Sequence, residues 1–233
     1  AAAALAADRR WLAPRSTLQR LAGRLVFRIT RGLMRAAFGV RGIGTERLPG
    51  SGPLLLCPNH LSDLDAPVVA TALPRALADR AVWAGDRRRL FGTPARRALS
   101  RAMRIFPVTE AAPMAAVDLA VEALGQGDVV VWFGEGYRSA DGRMLPFGPG
   151  IGRVIERSGA AAVPVFIDGT FEAWPRDRAL PRLVPVRVVF GEPVAARDLL
   201  AATPEGPDRP AAIAAAIRGR IAALAAARGR EIG

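Results

Sequence analysis

Residues 54–73 read Leu-Leu-Leu-Cys-Pro-Asn-His-Leu-Ser-Asp-Leu-Asp-Ala-Pro-Val-Val-Ala-Thr-Ala-Leu. An apolar run gives way to a polar loop and then to a second apolar run. Leu54-Leu55-Leu56-Cys57 is short and has no polar face, as expected of a strand buried on both sides. Asn59-His60-Leu61-Ser62-Asp63-Leu64-Asp65 follows, with two carboxylates ahead of a helix over 66–73 that tolerates Pro67 in its first turn. A loop between strand and helix is where open α/β sheets bind ligands. His60 is the only histidine of the chain. Histidine changes charge nearest neutral pH of all side chains, so His60 is the first candidate for moving a proton. A lone histidine also suits a helix cap or a polar niche, and within this stretch both readings stand.

Outward from this stretch, short β-prone runs at 81–84, 105–108, 129–133, 162–167 and 186–190 alternate with helical stripes. One stripe is Met114, Val117, Val121, Leu124; another is Ile213, Ile217, Ile221, Leu224; a shorter helix is expected over 153–157. The alternation predicts an α/β fold with a mixed, mostly parallel sheet flanked by helices. Residues 41–44 and 48–53, rich in glycine and proline, read as a turn-rich connection. The run 129–133 ends in Gly134-Glu135-Gly136-Tyr137-Arg138-Ser139. Glycines there let backbone approach a ligand, Arg138 can pair with an anion, and Glu135 can orient it. Phe147-Gly148-Pro149-Gly150-Ile151-Gly152 lacks the spacing of phosphate-binding loops and reads as a turn and helix start.

Among 233 residues, 33 are basic and 21 acidic, a net charge of +12, and every basic residue is arginine. The planar guanidinium pairs bidentately with phosphate and carboxylate, so an anionic partner is expected. Aromatic residues make up only 6% and no nucleic-acid motif is present, which argues against nucleic acid as that partner. Over 11–38, apolar residues from Trp11 to Phe38 alternate with Arg15, Arg20, Arg24, Arg28, Arg31 and Arg35, with no acid between them. Such a face predicts an N-terminal amphipathic helix on an anionic membrane surface, and division into a segment 1–40 and a domain 41–233. A second arginine cluster over 86–104 reads as a solvated face or as a means of steering phosphates. Cys57 is the only cysteine, which excludes an internal disulfide and a cysteine-based zinc site, and no metal is expected. No apolar run approaches the roughly 18 residues a membrane-spanning helix needs, so any membrane association is expected to be peripheral.

Three blocks, taken in order, resemble the PlsC-like glycerolipid acyltransferases. Asn59-His60-Leu61-Ser62-Asp63-Leu64-Asp65 is similar to that family's Asn-His-x-Ser-x-x-Asp block, the His-x4-Asp signature. Val131-Trp132-Phe133-Gly134-Glu135-Gly136-Tyr137-Arg138-Ser139 is similar to its Phe-Pro-Glu-Gly-Thr-Arg-Ser block, and Val163-Pro164-Val165-Phe166-Ile167 to its last block. The resemblance implies His60 as general base and Asp65 as the carboxylate that holds it, with Asp63 a bystander. It implies Asn59, Ser62, Glu135, Gly136, Arg138 and Ser139 as substrate-binding positions, Ser62 acting by local hydrogen bonding or capping. It also implies an acyl-thioester donor, acyl-CoA or acyl-carrier protein, as co-substrate with no further cofactor. The implied acceptor is a lysophospholipid, by default lysophosphatidic acid, at the cytoplasmic face of a membrane. Departures fall on the acceptor side. Gly134 and Tyr137 replace proline and threonine, Glu110 stands near an expected arginine, Phe147-Gly148-Pro149-Gly150 lacks a lysine, and Ile167 stands where a second proline is common. Two alternatives follow from these departures: a non-phosphate acceptor such as a lyso-aminolipid, and a non-catalytic lipid-binding module on the same fold. Cys57, in an apolar run, reads as a buried thiol rather than a nucleophile.

Overall fold

The structure, a computed structural model, describes residues 2–232; Ala1 and Gly233, within the expected bounds 1–40 and 41–233, lie outside the described residues. Among the described residues one sheet contains β1 (Arg41–Ile43), β2 (Leu54–Pro58), β3 (Ala81–Asp86), β4 (Ile105–Val108), β5 (Val129–Val131), β6 (Ala161–Asp168) and β7 (Arg187–Phe190). Their order is β1-β7-β6-β2-β5-β3-β4. Strands β6, β2, β5, β3 and β4 run parallel, β7 is antiparallel to β6, and β1 is parallel to β7. The sheet is therefore mixed and mostly parallel, as expected from the alternation of strands and helices.

The longer helices are α1 (Ala2–Asp8), α2 (Thr17–Phe38), α3 (Asp65–Ala72), α4 (Pro94–Ala102), α5 (Pro113–Gly125), α6 (Gly150–Ser158) and α7 (Arg209–Ala226). They cover both faces of the sheet. Alternate residues of a strand point to opposite faces, so Leu55 and Cys57 of β2 join a core with Val117 of α5, Ile151 of α6 and Ile217 of α7. Leu54 and Leu56 join a second core with Val68 and Val69 of α3 and Phe38 of α2. Every residue of β2 is buried. This explains its unbroken apolar run, and the carboxyl end of that strand is where the polar loop begins.

Helix α2 starts later than the expected 11–38. Pro14 cannot donate to a helical ladder, and a capping box between Ser16 and Gln19 sets the start at Thr17. Trp11, expected on the interfacial face, instead lies in a 3-10 turn and is buried with its ring edge-on to Phe91 at 4.7 Å. Arg101 fixes that turn by donating to the carbonyls of Trp11, Ala13 and Pro14. Gly23 lets α2 approach α4, since a Cβ there would sit 2.4 Å from the Ala102 carbonyl oxygen. The opposite side of α2 is bare: Leu18, Leu21, Leu25, Ile29 and Leu33 are 53–77% exposed.

Residues 41–43, expected within a turn-rich connection, form an edge strand because β7 supplies a partner, with Gly42 opposite Val188. At the other expected strand, β5 ends two residues before Phe133. Trp132 still donates to Leu56 O at 3.0 Å, after which the chain turns toward the loop of Glu135.

Candidate active site

Asn59 carries the sheet one residue past the end of β2. Its Oδ1 accepts from Ile167 N at 2.7 Å and its Nδ2 donates to Ile167 O at 3.2 Å, so the side chain replaces the next rung of the β2–β6 ladder. Both partners are buried, and each would be costly to leave unpaired. The loop thus leaves the strand in one fixed direction, with His60 next.

Asp65 opens α3 and is fully buried. Its Oδ2 accepts from Leu61 N at 2.6 Å, Ser62 N at 2.7 Å and His60 Nδ1 at 2.8 Å. Two backbone N–H groups and the imidazole thus converge on one carboxylate oxygen. An acceptor facing Nδ1 selects the tautomer with the proton there, which leaves Nε2 free to take another. The ring of His60 stacks on Phe133 with centroids 4.3 Å apart, and its side chain is 22% exposed. It lines a cleft of about 520 Å³, with Asp86, Arg88, Glu110, Trp132, Phe133, Gly136, Tyr137 and Gly148 among the other walls. Bond to Asp65, stack on Phe133 and opening to the cleft together hold the imidazole of His60 in one orientation at the cleft wall.

Glu135 is buried beneath this loop. Its Oε1 accepts from His60 N at 2.6 Å and its Oε2 from Leu145 N at 2.7 Å. Burial pushes its carboxyl up to about 7, against the opposing pull of the two backbone N–H groups. Ser139 N donates to His60 O at 3.0 Å, so the two loops hold His60 by both of its backbone polar groups. Gly134 is required by close packing, since a Cβ there would lie 2.5 Å from the ring of Phe147, and Gly136 adopts φ +72°.

The sequence-derived site residues therefore divide. His60 and Gly136 line the cleft, and Asp65 reaches it through His60. Asn59, Glu135 and Ser139, expected to bind substrate, are instead buried and bonded to the protein, as is Ser62, expected to act by local hydrogen bonding or capping. Ser62 Oγ donates to Trp174 O and accepts from Leu64 N, while Ser139 Oγ bonds Asp141 and accepts from Gly142 N. The physical reason is shared: backbone N–H and C=O groups in and beside the loops need partners, and these side chains supply them. Arg138, expected to work beside Glu135, donates to Asp63 at 2.7 Å, and Asp63 also accepts from Arg89. Asp63 is thus the ion-pair partner linking the two loops rather than a bystander. The arginine cluster over 86–104 serves the fold: Arg87 pairs with Asp8, Arg96 and Arg97 donate to backbone carbonyls, and Arg104 makes a bidentate pair with Asp128. Burial pushes the Cys57 thiol up, as suits an inert core residue.

Sequence reasoning missed Phe133 as a wall for the imidazole and Leu145 N as the second donor to Glu135. An aromatic residue just past a buried strand was a usable signal for the first. No local pattern points to the second, because ten residues separate the partners.

Comparison with known proteins gives one family and one fold. The family model described as Acyltransferase matches residues 39–168. Two proteins named 1-acyl-sn-glycerol-3-phosphate acyltransferase, from Limnanthes alba and Limnanthes douglasii, are each 32% identical over 97 residues, which is 41% of this chain and 34% of theirs. The matched region spans about a third of the length of those relatives. The crystal structure of the 1-acyl-sn-glycerophosphate (LPA) acyltransferase PlsC from Thermotoga maritima superposes with a TM-score of 0.68 at 20% identity, covering 92% of this chain and 85% of that one.

Proposed function

Because this chain belongs to the Acyltransferase family, we propose that it transfers a fatty acyl group from acyl-CoA or acyl-carrier protein to the hydroxyl of a lysophospholipid. Lysophosphatidic acid is the default acceptor, with phosphatidic acid the product. The observation that carries this reading is the His60 Nδ1 to Asp65 Oδ2 bond of 2.8 Å at the wall of a cleft.

His60 Nε2 takes the proton of the acceptor hydroxyl as its oxygen attacks the thioester carbonyl. Asp65 holds Nδ1–H and stabilises the imidazolium that forms. The tetrahedral intermediate collapses, the carbon–sulfur bond breaks, and His60 returns the proton to the departing thiolate. No enzyme nucleophile is needed, in keeping with the burial of both Ser62 and Cys57.

Membrane association belongs to the same reading. Among the described residues no helix is long and apolar enough to cross a membrane. The exposed stripe of α2, flanked by Arg20, Arg24 and Arg28, supports peripheral attachment to an anionic membrane surface.

A second reading concerns the acceptor. Arg138 is engaged by Asp63, and Glu110 and Asp86 line the cleft, so a headgroup without phosphate, such as a lyso-aminolipid, is the second candidate. An acyl-transfer assay with purified chain and a panel of lysolipids separates the two. Fastest transfer to lysophosphatidic acid supports the first, and fastest transfer to a lyso-aminolipid the second. Absence of transfer to any acceptor would leave a lipid-binding module.

A further inference from the structure

At the opposite ends of the parallel strands from His60, α2 crosses α4 over a groove of about 120 Å³. Six arginines line it: Arg15, Arg20, Arg24, Arg28, Arg75 and Arg104. Asp79 is the one carboxylate among its lining residues; it faces Arg75 at 3.7 Å, and Arg104 is held by Asp128. The other four have no carboxylate partner among the described residues. Arg15 donates to Ala102 O and Arg20 to Arg15 O, while Arg24 and Arg28 have no hydrogen-bond or ion-pair partner among the described residues. Burial, and then Arg104, Arg101, Arg20 and Arg24, push the Arg15 guanidinium down from its ordinary value. Like charges gathered with too few counter-charges raise the energy of the free protein, and an anion relieves it.

The packing that gathers them is fixed. Gly23 meets the Ala102 carbonyl with no space for a side chain, and the Arg15 bond to the same carbonyl, 2.7 Å long, ties the start of α2 to α4. Arg20, Arg24 and Arg28 follow one another at helical spacing, and Leu18, Leu21 and Leu25 emerge on the adjoining face of the same turns. A phosphate held by the arginines would leave attached acyl chains beside an exposed apolar stripe.

We propose that this groove is a second anion site, separate from the His60 cleft, that binds the headgroup phosphate of an anionic phospholipid while α2 lies on the bilayer. It rests on the membrane association proposed above. Phosphate is the recognised group, and the lipid is favoured over free phosphate because the apolar stripe adjoins the arginines.

The test measures binding of the whole chain to vesicles of phosphatidylcholine alone or mixed with phosphatidic acid. Arg24→Gln with Arg28→Gln removes the two unpartnered arginines. Arg176→Gln with Arg228→Gln removes the same charge elsewhere. Both are exposed pairs, and circular dichroism checks their folding. The groove pair should raise the Kd for phosphatidic-acid vesicles about 10-fold or more, given about fivefold per basic residue near an anionic surface, and the control pair less than about threefold. Equal losses from the two pairs would overturn the site in favour of a diffuse field. If inorganic phosphate raises the Tm of the parent but not of the groove variant, with vesicle binding equal in both, the lipid assignment is overturned. Leu21→Ser with Leu25→Ser reports separately on the membrane reading. Binding weakened by the stripe variant alone defeats the groove and keeps the membrane; binding weakened by neither defeats both.

Discussion

Glu135 holds the backbone of His60, and its titration gives that contact a measurable signature. Burial lifts its carboxyl from 4.5 to about 7 in the folded chain. Between those values the unfolded chain has lost a proton that the folded chain keeps, so stability decreases as pH rises through this window and levels above it. The shift corresponds to a loss of stability on the order of 3 kcal/mol across the window. Urea denaturation across that window should show this slope in the parent, and Glu135→Gln should flatten it. A slope unchanged by the substitution would mean that Glu135 is not the titrating group. The same residue marks a limit of sequence reading. Its place between glycines past a strand suggested a ligand site, but whether a carboxylate faces a ligand or the protein's own N–H groups depends on Leu145, which no local pattern indicates.

At the scale of elements, β2, its loop and α3 were legible because local signals agreed: a short apolar run, a polar loop, then a helical run. Strand β1 was not, because its pairing comes from β7, more than 140 residues away in sequence. The start of α2 was misplaced because the apolar residues of 11–38 serve two purposes, Trp11 packing in the core and Leu18 onward facing outward. The junction between β2 and the loop rests on Asn59. Asn59→Ala would leave Ile167 N and O unpaired in the core, and at about 1–3 kcal/mol per orphaned group should destabilise the chain by about 2–6 kcal/mol. Denaturant titration measures this; a change below about 0.5 kcal/mol, the scale of a neutral surface substitution, would show that the loop does not depend on that rung.

For the whole molecule, the two ends of the parallel strands differ in charge. The His60 cleft mixes Asp86 and Glu110 with Arg87 and Arg88, whereas the charged residues lining the groove under α2 are all arginine but for Asp79. The net charge of +12 therefore does not describe one uniform basic surface. Many of its arginines are internal ties, such as Arg101 to the 3-10 turn and Arg104 to Asp128, which composition cannot distinguish from free cations. His60, held by Asp65, is the proposed general base of the acyl transfer. Thiol release from acyl-CoA, measured with lysophosphatidic acid and with the lyso-aminolipid, tests it in the parent and in His60→Ala. With melting unchanged, the variant should lose about 10²–10⁴-fold in kcat on whichever acceptor the parent uses; transfer by His60→Ala at the parent's rate would contradict the account.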